Sequence, residues 1–549
     1  MATIDTGRTY IALLVAVLLA GCGSGSGSSP SSTVAPPAAS LSPPGLPLVR
    51  VSGASPYPSG CGGTMPGSVN YEEAEVEPYV AVNPTNPSNL IGIWQQDRWS
   101  DGGAHGLVIA RSLDDGNTWN EQPINLSICG GGNSGNGGDY GRASDPWVTF
   151  SPNGVAYVIS ISFTGNIMAA GSLSSVLVSS SSDAGATWSA PATLILDGAS
   201  AFNDKETITA DPNNPNFVYA VWDRLDNSGH GPAYFARTTD AGASWQTAVP
   251  IYDPGINNQT ISNEIVGLAD GTLVDVFEEI DGTNTNNASA TLKVITSTDN
   301  GATWSAPVTV AQDLSVGTRD PNTGATVRAG AGLPQMAAGP GNKLVLVWQD
   351  GRFSNGQRDG IALSQSADDG QTWSMPVEIN SVSSVPAFTP SVAVLNDGTI
   401  GVSYFDFRNN TSNPSQLITD YWFTSSTDGV HWSEQHISGP FDLDLAPDAE
   451  GLFLGDYQSL AIIGQTFVPF FVQTNNQGTA NRTDDYVLPP QPVPLTLSRR
   501  VTNVALLGQP TKPDAGFRRR IHDNLMHLLR SENPGWEQFQ AQRRKTSPP

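Results

Sequence analysis

The chain of 549 residues carries 51 Asp plus Glu against 26 Lys plus Arg, a net charge of −25, with only 14% of its residues charged. So few charges exclude a Glu- and Lys-rich helical bundle or coiled coil, and so acidic a balance excludes nucleic acid as the main partner, because a phosphate backbone is gripped by clustered Lys and Arg. The 57 Gly and 41 Pro punctuate many short β-rich runs, and composition alone predicts an all-β protein.

The chain opens with Arg8 and then the apolar run 11–20 (IALLVAVLLA). Ten apolar residues are too few to span a bilayer, so the run reads as the core of a signal peptide covering residues 1–21. Residues 19–22, Leu-Ala-Gly-Cys, follow directly and resemble the bacterial lipobox, which implies diacylation of Cys22 and a lipid anchor in the membrane. An ordinary secretory signal that happens to contain a cysteine is the alternative. Gly23 after the cysteine is similar to the pattern of outer-membrane lipoproteins. Residues 22–46 are rich in Ser, Gly, Pro and Ala and lack charge, the composition of a flexible tether. The expected address is therefore exported and lipid-anchored at a bacterial cell surface or outer membrane. Cys61 and Cys129, in Gly-rich loops of an exported chain, are expected to form a disulfide, with two free thiols as the alternative.

The next elements repeat. SLDDGNTW (112–119), SSDAGATW (181–188), TTDAGASW (238–245), STDNGATW (297–304), SADDGQTW (366–373) and SSTDGVHW (425–432) are spaced, Trp to Trp, by 69, 57, 59, 69 and 59 residues. Each reads as a tight hairpin turn: Asp accepts from backbone N–H groups, Gly takes a positive φ, Ser or Thr braces the loop and Trp plugs the space between strands. The sixth copy has Thr427 where the Asp is expected. Ahead of each copy stand two β-rich runs separated by turn residues, beginning near Glu77, Asp145, Glu206, Asn263, Leu333 and Thr389, and a seventh pair without a box begins near Gly455. An array of this period predicts a β-propeller of four-stranded blades over residues 47–490. Seven blades are favoured and six are the alternative. The last unit shows three strands, and residues 48–53 (LVRVSG) are expected to close the ring as its fourth. The tail, residues 491–549, turns basic, with net charge +6 against −31 for residues 22–490. Within it, residues 518–530 form either a short basic helix, suited to an anionic surface or to the acidic propeller, or part of a solvated tail.

Propeller topology converts position into location. The boxes mark one end of every sheet, so the starts of first strands and the ends of second strands share the other. There stand Glu77, Asp145, Glu206, Glu264 and Asp456, together with Asp97-Arg98, Asp223-Arg224, Glu278-Glu279, Asp350/Arg352 and Asp406/Arg408. Such a ring of carboxylates and guanidiniums suits polar or anionic glycans; alternatively the pairs tie neighbouring blades together. The six histidines show no zinc spacing. No cofactor is expected, although residues 318–324 (TRDPNTG) are a candidate loop for structural calcium.

The repeated turn resembles the Asp box of sialidases and related bacterial neuraminidase-repeat proteins. That resemblance implies a sialidase-like propeller, a carbohydrate ligand and glycoside hydrolysis, with a glycan- or protein-binding propeller lacking catalysis as the alternative. It implies Tyr457 as nucleophile, Glu264 as its base, and Asp97 or Asp145 as acid/base. The family's arginine-bearing first-blade motif is replaced by Val76-Glu77-Pro78, and Glu278-Glu279 stand where a middle-blade arginine is expected.

Overall fold

The computed structural model describes residues 46–62, 67–282, 288–475, 478–491, 499–501 and 513–531. The apolar run, Cys22 and the tether up to residue 45 lie outside the described residues. What is described is all-β apart from one helix and a few short 3-10 turns, built of antiparallel four-stranded units. The first unit runs Asn70–Val82, Leu90–Trp99, Ala104–Ser112 and Asn120–Pro123. The later units repeat this meander, opening with Arg142–Phe150, Ala201–Ala210, Gln259–Gly267, Gln335–Gly339, Ala387–Val394 and Ser459–Ile463. Each of these opening strands touches the next, and Ser459–Ile463 touches Asn70–Val82 again, so the opening strands form a closed ring of the kind a propeller has at its axis. The last unit contributes three strands of its own, and Val49–Arg50 pairs antiparallel with Thr483–Val487 as the fourth. Cys61 and Cys129 are disulfide-bonded.

The core lies between neighbouring sheets. Trp94, Trp222 and Trp348 occupy matching places in second strands and are fully buried. Each removes on the order of 5 kcal/mol of apolar surface energy from water before ordering costs are counted. Each indole N–H is also satisfied inside, by Gln96 Oε1 at 3.0 Å, Asn203 Oδ1 at 2.9 Å and Asp350 Oδ2 at 2.9 Å.

Five of the repeated turns share one hydrogen-bond set. In the first, Ser112 Oγ donates to Asp114 Oδ1 at 2.8 Å and accepts from Gly116 N at 2.9 Å, and Asp114 accepts from Thr118 N and Oγ1 at 2.8 and 2.7 Å. Two consecutive residues, Asp115 and Gly116, take positive φ. The sixth turn corrects the sequence alignment: its Asp is Asp428, paired with Ser426, and the turn is one residue shorter. Gly429 N reaches Ser426 Oγ at 2.8 Å, only Gly429 has positive φ, and His431 N takes the place of the Thr N–H at 2.7 Å from Asp428 Oδ1.

Two pieces of the basic tail belong to this body. Arg499–Val501 adds a strand beside Trp432–Asp442. Helix α1 (Ala515–Ser531) buries Leu525, Leu528 and Leu529 against Ile261, Ile280 and Ala290, and Phe517 against Leu314 and Val316. Of the two expectations for 518–530, the helix against the acidic sheets is the one observed, because its leucines fall on one stripe and find an apolar seat.

Candidate functional site

At the end of the sheets away from the repeated turns, the opening strands carry a recurrent bulge. Glu77, Asp145, Lys205, Ser262 and Thr389 take φ of 55°, 51°, 51°, 61° and 49°, and strand register shifts at each of these places. A left-handed residue without glycine's freedom is strained by roughly 1–3 kcal/mol, and a bulge re-aims its side chain; here the bulges supply the side chains gathered near the ring's centre.

Lys205 sits between two carboxylates there. Its Nζ lies 3.3 Å from Asp145 Oδ2 and 3.2 Å from Asp456 Oδ2. Arg328 clasps Asp456 with two bonds, Nε to Oδ1 at 3.1 Å and Nη2 to Oδ2 at 2.6 Å. Asp456 N reaches Glu77 Oε1 at 3.4 Å, and Gln95 Nε2 bonds the other oxygen of Glu77. Arg98 and Arg328 both lie over the Phe453 ring, 4.9 and 4.6 Å from its centre, and Arg98 is held by Gln95 Oε1 at 3.0 Å. Every member of this cluster is buried.

Environment pushes the acids apart. Burial raises Asp145, but Lys205 together with hydrogen bonds from Ser144 and neighbouring acids outweighs it and holds the carboxylate down at about 2. Asp456 is likewise held low against its burial by Arg328 and Lys205. Glu77 is raised well above its ordinary value by burial and by Asp145 and Asp456, so it keeps its proton beside two ionised neighbours. Beside the cluster is a small recess lined by Asp145, Trp147, Lys205, Glu206, Glu264 and Tyr457 among others. Burial pushes Glu264 up to about 8, and its one backbone donor, Met336 N at 3.0 Å, does not restore it. Glu206 is also raised well above the carboxylate range, by burial and then by Asp145, and backbone hydrogen bonds from its own N–H and from Ile161 do not restore it. Tyr79 stacks on Trp147 at 3.6 Å, and Tyr457 meets Trp147 edge-on at 5.3 Å. The Tyr457 hydroxyl donates to Pro146 O at 3.1 Å; burial raises its pKa, and the neighbouring Glu77, Asp145, Glu206 and Asp456 add to the rise.

Of the residues singled out in the sequence, Glu77, Asp145, Glu206, Asp456, Tyr457, Glu264 and Arg98 come together at this place. The others do not. Asp97 is consumed by its own sheet, accepting from Ser55 Oγ at 2.6 Å, Glu73 N at 2.9 Å and His105 Nδ1 at 3.1 Å. Arg224 forms a two-bond pair with Asp197 at 2.8 and 2.7 Å, and Asp223 braces the next unit through Ser262 N at 2.7 Å. Arg352 folds back on Asp350 at 2.6 Å, and Arg408 bonds Asp406 and Glu434, each at 2.6 Å. These are ties within and between sheets. In the loop 318–324, the Asp320 carboxylate accepts from Asn322 N at 2.8 Å and from the Thr323 hydroxyl. Among the described residues no group of three or more His, Cys, Asp or Glu is placed to hold a metal ion. Sequence reasoning missed Lys205 and Arg328. Lys205 stands directly before Glu206 at a first-strand start, and Arg328 lies in the long insertion that widens the fourth Trp-to-Trp gap to 69 residues.

No protein-family model and no curated protein sequence matches the chain. Among solved structures, it is similar to a Penicillium chrysogenum alpha-L-arabinanase complexed with arabinobiose at 15% identity and a TM-score of 0.40, over 62% of this chain and 94% of that one. It is similar to the Hadza microbial sialidase Hz136 at 15% identity and a TM-score of 0.43, over 72% and 76%. For a Trypanosoma rangeli sialidase in complex with sialic acid the figures are 14% and 0.37, over 77% and 59%. The likeness is one of fold alone.

Proposed function

We propose that this protein is a carbohydrate-acting propeller of seven blades and that its central recess hydrolyses glycosidic bonds. The blade number is supported by the closed ring of opening strands. One observation carries the activity: a single recess sets proton-holding carboxyls, Glu264 and Glu206, beside an ionised one, Asp145. Glycoside hydrolysis needs that division, because one group protonates the leaving oxygen while the other works as base or nucleophile. Glu206 is the favoured acid, since it lines the recess and burial with Asp145 beside it keeps its proton on. Trp147 and Tyr457 supply an aromatic wall for a sugar face. Tyr457 serves there as a wall in preference to a nucleophile, since its hydroxyl is bound to a backbone carbonyl. The lipid anchor at Cys22 and the exported address belong to the same proposal, and the disulfide suits an oxidising compartment.

The test is release of reducing sugar from a panel of glycosides, α-sialosides included, by the purified protein and by Glu206→Gln and Tyr457→Phe. Loss of at least about 100-fold in Glu206→Gln with Tyr457→Phe within a few-fold of wild type is the expected result. Loss in Tyr457→Phe alone would transfer the chemistry to the tyrosine. Binding of glycans with no cleavage of any would leave a binding propeller.

A further inference from the structure

The central cluster opens outward along α1 through two adjoining hollows. The first, narrow, is lined by Asp456, Arg328, Gly317, Arg319, Asn524 and His527 among others. The second, of about 450 Å³, shares Gly317 and Arg319 with it and adds Arg358, Arg520, Asp320 and Asp523. A groove thus leads from the cluster to the outer side of the insertion 314–334, and α1 forms one of its walls.

Three guanidiniums in one groove stand out in a chain with 26 Lys plus Arg and a net charge of −25. All three are anchored by neutral acceptors. Arg319 Nη1 bonds Gly324 O at 3.3 Å and Thr326 Oγ1 at 3.2 Å, and Arg358 Nε bonds Ser383 O at 2.7 Å. Arg520 Nε bonds Gly356 O, and its Nη2 bonds Asn355 O at 3.3 Å. Backbone carbonyls orient these groups without cancelling their charge. The two carboxylates on the groove wall are engaged elsewhere: Asp320 with donors of its own turn, and Asp523 with Arg519 at 3.8 Å along the helix.

We propose that this groove binds an acidic oligosaccharide, with Arg319, Arg358 and Arg520 receiving its carboxylate or sulfate groups. The proposal rests on the carbohydrate-acting reading above. Guanidinium suits the task because its planar donors match a carboxylate or sulfate with two parallel bonds, and pre-anchored arginines lose little freedom on binding. The protein's overall acidity does not oppose it, because a screening length of about 8 Å at physiological salt confines the field to nearby groups. Those nearby groups are the three arginines together with Asp320, bonded within its own turn, and Asp523, paired with Arg519.

The experiment is equilibrium calorimetry with three probes: an oligogalacturonate, its fully methyl-esterified and therefore neutral counterpart, and a heparin oligosaccharide of similar length. Binding of either acidic probe, weakened at least ten-fold by Arg319→Gln with Arg358→Gln and weakened by added salt, is the expected result. The carboxylated and sulfated probes between them identify the anion preferred. Equal binding of the neutral ester, unchanged affinity in the double variant, or equal binding of a single-stranded oligonucleotide of matched charge would overturn the proposal. Arg520→Gln, which removes one guanidinium without touching the sheets, gives a second reading if the double variant melts early. Binding is read without any bond being cleaved, so failure to hydrolyse leaves this result intact. Cleavage of small glycosides with no affinity for the acidic probes would overturn the groove alone.

Discussion

The two ends of the sheets use repetition differently. At one end, five turns keep the same residues and the same bonds, and a sixth preserves the pattern with one residue fewer. At the other, five bulges keep the same left-handed backbone while the residue changes from Glu77 to Asp145, Lys205, Ser262 and Thr389. The turns close hairpins, and one solution serves every copy. Three of the bulges, at Glu77, Asp145 and Lys205, turn unlike side chains toward Asp456, so a repeated backbone yields an asymmetric site. Identity of side chains thus marks the structural end, and identity of shape with varied side chains marks the chemical one.

The sharpest way to break this contrast is Lys205→Met. If the bulge residues form one interdependent charge cluster, losing the lysine leaves Asp145 and Asp456 buried with less compensation, and the expected cost is about 3–5 kcal/mol. Urea denaturation at constant slope reads it directly. A loss below about 1 kcal/mol would mean that the cluster is solvated or redundant, and the chemical end would then be no more coupled than the turns.

Glu264→Gln sharpens the same comparison through pH. Burial holds this carboxyl's pKa at about 8 against an ordinary 4.5, so the folded state binds the proton more tightly than the unfolded one. Its contribution is present in full below the ordinary value and is lost as pH rises through the folded value. Between about pH 5 and 8, wild type should therefore lose ground to Glu264→Gln by on the order of 1 kcal/mol per pH unit. Parallel stability curves for the two proteins over that window would place Glu264 in an ordinary solvated setting.

Much of the turn end was legible in the sequence because all its chemistry lies within eight residues: Ser, Asp, Gly, Thr and Trp bond to one another locally. The closing strand 48–53 and the Cys61–Cys129 pair were legible for a related reason, since one supplied a missing strand and the other lay in Gly-rich loops of a chain expected to be exported, with two free thiols as the alternative. The site was half legible. Carboxylates at strand starts were visible, but Lys205 meets Asp456 across 251 residues and Arg328 meets it across 128, separations at which no pattern survives. The Asp and Arg pairs were misleading because spacing decides their fate. Arg352 and Arg408 stand two residues after an Asp, and each returns to that Asp. Arg98 and Arg224 stand directly after theirs, where side chains of a strand alternate, so each finds another partner.

At the turn end the expected effects are smaller. Ser297 is buried, and its hydroxyl accepts from Gly301 N at 2.9 Å and donates to Asp299 at 2.8 Å. Ser297→Ala leaves that N–H without its acceptor, at a cost of about 1 kcal/mol by chemical denaturation. Affinity for glycans should not change. A change in affinity would show that the two ends communicate.

Arg224→Gln carries the smallest expected effect and draws the finest line. In sequence Arg224 is the counterpart of Arg98, one residue after an Asp at the end of a second strand, yet it bonds Asp197 while Arg98 stands over Phe453 beside Arg328. The Arg224–Asp197 pair is partly open to solvent, at 22% and 11% side-chain exposure, so it is screened and worth no more than about 1 kcal/mol. Its loss should lower the thermal midpoint slightly and leave glycan binding and turnover as in wild type. Arg98→Gln, made alongside, removes a guanidinium that adjoins the recess cluster and should alter both. If the two variants behaved alike in turnover, position along the repeat would define the site, and the convergence of bulge residues on Asp456 would be incidental to function.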